Sequence, residues 1–272
     1  REAIFKGDKD MTEQGPILRI AAAQMHVTDD IAANVQRITV AIAQCAAKGS
    51  ELVVFPETAV TGYSPAIGHG READEWPAIR QGLRTIAQAA REAGLWIVVG
   101  SEAWEADAWW NRLYVYSDAG QLVATYDKVH LMEPDTHYYR PGTRQVVFEM
   151  RGITLGLQIC YDARFPEGYR ALLHRGAQVI LQGFYGAGGD TWKVPVLGAH
   201  LVSRAAESGC FVVAANVAGP LQIVHSQIID PLGLILARAN QDREEIIYAD
   251  LDIGRIQDSE IRRDYLTRFA AT

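Results

Sequence analysis

The sequence predicts one α/β domain in which mixed sheets are covered by helices in layers. Apolar runs with strand character alternate with amphipathic segments of helical period along most of the chain, and strand–turn–strand patterns follow in the C-terminal part. No linker, repeat or low-complexity segment separates these elements. We therefore expect a single domain over residues 17–272, preceded by a polar, flexible segment over residues 1–16 in which Met11 is a candidate native start.

Composition narrows the kinds of partner that the protein can bind. The 272 residues carry a net charge of −7, and no run of like charges is long enough to form a binding tail. This gives no electrostatic basis for binding nucleic acid or an anionic membrane, so we expect a small-molecule partner. The sequence also shows neither a charged leader followed by an apolar stretch nor an apolar run of about eighteen residues, which a membrane-spanning helix would need.

The three cysteines are widely spaced and include no C-x-x-C pair. Such spacing suits neither a disulfide framework nor a zinc site, and it indicates a reducing compartment. We therefore expect a cytoplasmic protein.

The N-terminal part predicts a βα unit. Ile17–Met25 is an apolar run typical of a buried strand. In Asp30–Lys48, apolar residues recur at helical spacing, with Asp29 or Asp30 as the N-terminal cap and Gly49 just beyond the end.

A second unit of the same kind follows. The strand Glu51–Phe55 stops at a proline, and the amphipathic segment Trp76–Ala93 predicts a helix that Gly94 ends. The apolar run Leu95–Ser101 then predicts the next strand.

The middle of the chain predicts a hairpin and two further strands. Asn111–Tyr116 and Gln121–Tyr126 alternate in polarity around the turn Asp118-Ala-Gly120. Beyond it, Gln145–Met150 predicts one strand and the run that ends at Cys160 predicts another.

The C-terminal half begins with helix and strand patterns and ends with antiparallel candidates. A glycine-rich loop, Gly183–Gly189, interrupts the series. The predicted helices are Glu167–Arg175, Trp192–Ser208 and Ile253–Phe269, and the predicted strands are Gln178–Gln182, Cys210–Asn216, Ser226–Asp230, Leu234–Ala237 and Glu245–Asp250.

Three polar residues of different chemistry stand at the ends of predicted strands: Glu57, Lys128 and Cys160. Carboxyl ends of strands open onto the ligand crevice in α/β proteins, and a helix that begins at Cys160 would lower the pKa of its thiol. Cys160 therefore suits a nucleophile, and Glu57 suits a general acid and base. Lys128 and the backbone N–H of Tyr161 suit stabilisation of an oxyanion.

Each of these signals also has a structural interpretation. A lone cysteine at a strand end usually fills the core, and a buried glutamate and lysine usually form a structural ion pair. Spacing along the sequence does not show that the three side chains meet. On the residues alone, both interpretations stay open.

Three segments resemble the signatures of the nitrilase superfamily of carbon–nitrogen hydrolases: Phe55-Pro-Glu57, Tyr126-Asp-Lys128-Val-His-Leu131 and Ile159-Cys160-Tyr-Asp-Ala-Arg-Phe-Pro-Glu167. The resemblance extends over nearly the whole chain. It implies a four-layer αββα sandwich, catalysis without metal or other cofactor, and assembly into homodimers or higher homo-oligomers. It also implies that Cys160 is the nucleophile, Glu57 the general base and Lys128 the oxyanion residue.

The resemblance further implies a second glutamate between the lysine motif and the turn Pro141-Gly142. Glu133 is the candidate, and Asp135 is its rival because this segment varies in length. A carboxylate there could hold the substrate amide and then orient water for deacylation.

Several further residues are expected to have structural roles or to line the substrate pocket. His130 is expected to be a structural hydrogen-bonding residue, and Asp162, Arg164 and Glu167 are expected to shape the turn after Cys160 through ion pairs. Cys45 and Cys210 are expected in the core. Aromatic residues in or beside loops after strand ends are candidates for the substrate pocket: Tyr63, Phe184, Tyr185 and Trp192.

The leading functional hypothesis is a thiol hydrolase. It would cleave a small linear amide or N-carbamoyl compound through a thioester and release ammonia or an amine. Cys160-Tyr-Asp resembles the amidase and carbamoyl hydrolase branches, whereas nitrilases usually show Cys-Trp-Glu. The alternatives are nitrile hydrolysis, a catalytically idle interaction protein of the same fold, and a redox thiol protein, which the lack of a nearby resolving cysteine disfavours.

Overall fold

The computed structural model describes residues 15–268, and within them twelve strands form two six-stranded sheets. The strands are β1 Ile17–Gln24, β2 Leu52–Val54, β3 Trp96–Glu105, β4 Ala108–Tyr116, β5 Leu122–Asp127, β6 Val147–Met150, β7 Ile153–Ile159, β8 Val179–Gly183, β9 Phe211–Ala215, β10 Gln227–Ile229, β11 Ile235–Arg238 and β12 Glu245–Asp252. The helices are α1 Ile31–Ala47, α2 Ser64–Ile67, α3 Trp76–Ala93, α4 Pro166–His174, α5 Lys193–Ser208 and α6 Glu260–Arg268.

Both sheets are mixed. The first has the order β12-β1-β2-β3-β4-β5, with parallel pairing from β1 to β3 and antiparallel pairing elsewhere. The second has the order β11-β10-β9-β8-β7-β6, with parallel pairing from β7 to β9. The parallel strands are apolar on both faces, as expected for strands that are covered on two sides.

Three apolar clusters separate four layers. The sheets pack face to face through a core that includes Leu113, Leu157 and Leu181. Helices α1 and α3 cover the outer face of the first sheet, and α4 and α5 cover that of the second. The predicted αββα sandwich is confirmed, and it puts the carboxyl ends of strands from both sheets beside each other.

Two connections differ from the prediction. Strand β3 continues to Glu105 and turns back into β4 through Ala106 and Asp107, both at positive φ, 50° and 55°. The usual Asn-Gly or Asp-Gly signal of such a tight hairpin is absent from the sequence. Strand β12 leaves β11 and pairs with β1 in the other sheet, which the local pattern does not reveal.

The predicted helix 253–269 is divided into a 3-10 segment, Ile253–Asp258, and α6, while Phe269 lies outside the described residues. Residues 1–14, including Met11, also lie outside them, so the expected flexible segment stays a prediction. Between residues 15 and 268, no helix is long and apolar enough to cross a membrane.

Candidate active site

Three strand ends meet between the two sheets. Glu57 follows β2 and Lys128 follows β5 in the first sheet, whereas Cys160 follows β7 in the second. The Lys128 ammonium lies 2.8 Å from Glu57 Oε1, and the Cys160 thiol hydrogen-bonds to the Glu57 carboxylate. Packing of one sheet on the other therefore brings these three side chains into contact.

The Glu57 carboxylate is fully buried and held from several sides. Its Oε1 accepts hydrogen bonds from Asn111 Nδ2 at 2.7 Å and Lys128 Nζ at 2.8 Å, while its Oε2 accepts from the Tyr185 backbone N–H at 2.7 Å. These donors fix the carboxylate next to the thiol. Asn111 was not among the predicted site residues, because a strand asparagine becomes informative only when its partner across the fold is known.

Two glycines let neighbouring strands approach the segment that carries Glu57. A Cβ atom at Gly100 would lie 2.4 Å from Pro56 O, and one at Gly183 would lie 2.8 Å from Glu57 N. Any larger residue at either position would displace the backbone around Glu57.

Lys128 lies between two carboxylates. Its ammonium contacts Glu57 at 2.8 Å and Asp135 Oδ2 at 2.7 Å, and it sits 5.6 Å from the centre of the Tyr63 ring. Burial alone would lower the pKa of Lys128, but the charges of Glu57 and Asp135 raise it above its ordinary value. The site therefore contains a permanent, buried cation.

The expected second carboxylate, Glu133, is wrongly placed for that role. Its side chain is 81% exposed and pairs with His137 at 3.0 Å on the surface. Asp135, the rival, is fully buried: Oδ2 accepts from Met132 N at 2.9 Å and from Lys128, and Oδ1 accepts from the Tyr63 hydroxyl. Asp135 is buried in place of Glu133 because the 3-10 turn Pro134–His137 directs Asp135 inward and leaves Glu133 outside.

Cys160 occupies a strained position at the start of a turn. Its φ is +42°, in the left-handed region that a non-glycine residue rarely adopts, and it opens the 3-10 segment Cys160–Arg164. Asp162 holds this turn by accepting from Ile159 N at 3.0 Å, Tyr126 Oη at 2.8 Å and His130 N at 2.9 Å. The geometry agrees with the expected structural roles of Asp162 and His130.

The expected acidification of Cys160 is wrong for the resting site. Burial and the charge of Glu57 raise the pKa of the thiol well above its ordinary value, and the opposing effect of Lys128 does not compensate. Cys160 is thus a protonated thiol that needs a base, and the base that it touches is Glu57.

A cavity of about 160 Å³ opens beside Cys160. Its walls include three of the four predicted aromatic residues, Tyr63, Phe184 and Tyr185, together with Tyr161. Trp192 is not among them: it is 62% exposed and stacks under the Lys193 ammonium, because it lies just before α5 on its solvent side. The remaining lining residues are Met132, Arg164, Gly186, Ala187, Gly188, Asp190, Lys193, Leu197 and Ile223.

A buried carboxylate that the sequence did not single out supports the pocket wall. Glu102 Oε1 accepts from Ser64 Oγ at 2.6 Å and from the Tyr139 hydroxyl, and burial raises its pKa. The network fixes the loop next to Tyr63. In the sequence, Glu102 comes directly after the predicted strand Leu95–Ser101, just as Glu57 follows a predicted strand, and this position was the one available signal; in the structure, Glu102 lies within β3.

The other two cysteines lie in the core as expected. Cys45 and Cys210 are completely buried, and burial raises the pKa of Cys45 to about 12. Cys160 is the only one of the three cysteines that is partly exposed.

Comparison with known proteins shows what this arrangement is similar to. The family model for carbon-nitrogen hydrolase matches residues 19–260. The chain is 33% identical over 222 residues to 2-oxoglutaramate amidase of Bacillus subtilis (strain 168), covering 76% of this chain and 80% of that protein. It is 31% identical over 254 residues to an (R)-stereoselective amidase of Pseudomonas sp., covering 91% and 89%.

Solved structures of an amidase have a fold similar to that of this chain. A cysteine-to-alanine mutant of the amidase from Nesterenkonia sp. AN1 in complex with butyramide superposes with a TM-score of 0.76 at 28% identity, covering 92% of this chain and 97% of that one. A glutamate-to-glutamine mutant of the same amidase, with acrylamide added at the active-site cysteine, gives a TM-score of 0.77 at 28% identity and covers 93% and 99%.

Proposed function

The chain belongs to the carbon–nitrogen hydrolase family of the nitrilase superfamily, and on this premise we propose the residues that carry its reaction and the substrates that it takes. It is an amidase-like enzyme that hydrolyses the C–N bond of a linear amide through a covalent cysteine intermediate. The observation that supports the assignment of residues is the buried series of contacts from Asp135 through Lys128 and Glu57 to Cys160.

In the acylation step, Glu57 takes the proton from the Cys160 thiol as sulfur attacks the amide carbon. The carbonyl electron pair moves to oxygen, and the Lys128 ammonium and the Tyr161 backbone N–H stabilise the resulting oxyanion. When the oxyanion collapses, the C–N bond breaks and Glu57 returns the proton to the leaving nitrogen. Ammonia or an amine departs, and Cys160 carries the acyl group as a thioester.

In the deacylation step, water enters the place that the amine left. Glu57 takes a proton from this water, whose oxygen attacks the thioester carbon. The tetrahedral intermediate again places its charge next to Lys128, and its collapse breaks the C–S bond. The carboxylic acid leaves, and the Cys160 thiol regains its proton.

Asp135 is a positioning residue in this scheme. It fixes Lys128 from the side opposite Glu57 and also receives the Tyr63 hydroxyl, so it aligns the cation with the pocket wall. One buried ammonium thus faces two buried carboxylates, and this excess of negative charge adds to the effects of burial and Glu57 that keep the Cys160 thiol protonated.

Small linear amides are the proposed substrates. The cavity of about 160 Å³ is smaller than most ligand pockets, which favours a short acyl chain. The relatives suggest two kinds: 2-oxoglutaramate, which carries a carboxylate, and butyramide, which does not. N-carbamoyl compounds of similar size belong to the same proposal.

Location and assembly are part of the proposal. We place the enzyme in the cytoplasm, a proposal supported by three cysteines that are all free in the described part of the chain. We propose a homodimer or higher homo-oligomer, supported by exposed apolar side chains in and just before the edge strand β11 of the second sheet: Leu232, Leu234 and Leu236. Light scattering after size exclusion would measure the mass in solution.

The test of the proposed function traps the intermediate. Purified enzyme is incubated with short amides, and released ammonia is measured alongside the mass of the peptide that contains Cys160. We expect ammonia release, an acyl adduct on Cys160, and a hydroxamate when hydroxylamine replaces water. Cys160→Ala should remove all three signals, while the matched variant Cys45→Ala should retain them. Ammonia release that persists in folded Cys160→Ala would refute the assignment.

A further inference from the structure

Two segments that carry active-site groups are joined behind the site by one buried carboxylate. Glu102 is fully buried, and its Oε1 accepts hydrogen bonds from Ser64 Oγ at 2.6 Å, from Ser64 N at 3.2 Å and from the Tyr139 hydroxyl. Ser64 directly follows Tyr63, whereas Tyr139 lies just beyond the 3-10 turn that contains Asp135. A single oxygen atom of Glu102 therefore connects the segment of Tyr63 with the segment of Asp135.

The same two segments meet again at the active site. The Tyr63 hydroxyl donates to Asp135 Oδ1, and the rings of Tyr63 and Tyr139 stack with their centres 6.4 Å apart. The backbone N–H of Tyr139 also donates to Asp135 O at 2.8 Å, which fixes Tyr139 relative to the turn. Together with the bonds to Glu102 these contacts form a closed ring, so loss of the Glu102 acceptor would free Tyr63 to move relative to Asp135.

A buried arginine holds the segment of Tyr63 from its far end. Arg71 donates from Nη2 to Thr61 O, and its Nη1 pairs with Glu75 at 2.7 Å. Its Nε lies 4.0 Å from Glu102 Oε2, and neither of these two buried atoms has a hydrogen-bond partner among the residues that the structure describes. Glu102 thus faces a cation on one side, while its side-chain hydrogen bonds all go through the other oxygen to the two active-site segments.

The contact between Tyr63 and Asp135 is important because both side chains adjoin the cation of the reaction. Asp135 Oδ2 lies 2.7 Å from the Lys128 ammonium, and the centre of the Tyr63 ring lies 5.6 Å from the same ammonium. An oxyanion is stabilised by donors that are in place before charge develops, and a misplacement of about 1 Å can cost about a hundredfold in rate. The position of Lys128 therefore depends on contacts that Glu102 secures from behind.

We propose that Glu102 is a positioning residue of the reaction, which joins the segments of Tyr63 and Asp135. It thereby keeps Lys128 where the oxyanion forms. Glu102 is not among the described residues that line the cavity, so it acts through these groups and not on the substrate. This inference rests on the proposed amidase function, because it assigns Glu102 to the step that Lys128 assists. The property that the site requires of Glu102 is an acceptor oxygen, which the amide of glutamine also supplies.

The test compares two substitutions of Glu102 in the hydrolysis of butyramide. Glu102→Ala leaves the buried donors of Ser64 and Tyr139 without their acceptor and should lower kcat by about 10- to 100-fold. Glu102→Gln keeps an acceptor oxygen and should restore kcat to within about fivefold of the wild type. The loss in Glu102→Ala should appear in kcat, with KM changed by less than about threefold, since Lys128 acts on the transition state and not on the bound amide.

A double-mutant cycle shows whether the effect passes through Asp135. Tyr139→Phe removes one hydroxyl of the ring of contacts but keeps the aromatic side chain, and it should lower kcat by about three- to tenfold in the wild-type background. In the Asp135→Asn background, where the contact to Lys128 is already weakened, the same change should cost less than about twofold. Tyr138→Phe is the matched control: the Tyr138 hydroxyl forms no hydrogen bond within residues 15–268, so kcat should stay within about twofold in both backgrounds.

Each kinetic measurement uses protein that circular dichroism shows to be folded. If Glu102→Ala does not fold, the cycle with Tyr139→Phe still decides, because that hydroxyl can be removed with little change in volume. Three results would each overturn the inference and leave the amidase function standing: equal losses from Tyr139→Phe in the two backgrounds, a kcat for folded Glu102→Ala within about twofold of the wild type, or no recovery of kcat in Glu102→Gln. Absence of hydrolysis of any short amide by the wild type would overturn both.

Discussion

Glu57 touches both the proton donor and the cation of the site. Its carboxylate accepts hydrogen bonds from the Cys160 thiol and the Lys128 ammonium, and its charge adds to burial, the larger effect, in raising the pKa of Cys160. Glu57 should therefore promote amide hydrolysis, in which it transfers the proton, but slow alkylation of Cys160, because it keeps the thiol protonated. The two effects can be measured separately.

Glu57→Gln should depress amide turnover by about a hundredfold or more, because the base and acid of both steps is lost. The same change should accelerate alkylation of Cys160 by iodoacetamide at neutral pH. Removal of the negative charge lowers the pKa of the thiol while Lys128 remains, so the thiolate fraction rises. Ammonia assays and peptide mass spectrometry would measure both, and slower alkylation in the folded variant would contradict this account of the thiol.

Asp135 and Glu133 form a matched pair of carboxylates on either side of Pro134. Asp135→Asn should lower kcat by about tenfold or more, because Lys128 loses a charged partner at 2.7 Å and only one oxygen remains to accept from Lys128, Met132 N and the Tyr63 hydroxyl. Glu133→Gln should stay within about twofold of the wild type, since its side chain faces solvent. If Glu133→Gln slowed single-turnover kinetics more than Asp135→Asn does, Glu133 would be the second carboxylate of the site.

At the scale of the element, local patterns predicted most strands and helices, whereas features that depend on distant contacts were not predicted. The helix Trp76–Ala93 was predicted to the residue, because its apolar period and the glycine after it are local signals. The turn at Ala106 and Asp107 and the destination of β12 are set by tertiary pairing. The orientation of Asp135 likewise depends on groups far away in sequence, since Tyr63 and Lys128 hold its two oxygens.

The close approach of β3 to the segment Pro56–Thr58 is an element-scale requirement of the site. Gly100→Ala should lower stability by about 1–3 kcal/mol and also reduce turnover, because its Cβ would lie 2.4 Å from Pro56 O. Gly198→Ala in α5, where a Cβ would meet no atom within 4 Å, should instead raise stability by up to about 1 kcal/mol. Urea unfolding with parallel activity assays measures both, and equal shifts for the two variants would contradict the packing argument.

At the scale of the whole molecule, the site exists only while the sheets are packed together, since Glu57 and Lys128 come from one sheet and Cys160 from the other. Leu181→Ala in the core between the sheets should lower the free energy of unfolding by about 2–5 kcal/mol. Val40→Ala on the surface of α1, where the side chain is 52% exposed, should change it by less than about 0.5 kcal/mol. Activity should disappear in the same urea transition as far-ultraviolet circular dichroism, and loss of activity at clearly lower urea would show that the sheets separate first.

The pairing of β1 with β12 sets the order in which the molecule can be completed during synthesis. Residues Ile17 to Gln24 find their partners between Glu245 and Asp252, so this contact joins nearly the two extremes of the described chain. A nascent chain therefore exposes one bare edge of β1 on the ribosome until almost all of the remaining sequence has emerged, and such long-range pairing is intrinsically slow. Polypeptides released early, before β12, would retain an open apolar edge, so premature termination should yield aggregates rather than a smaller working enzyme.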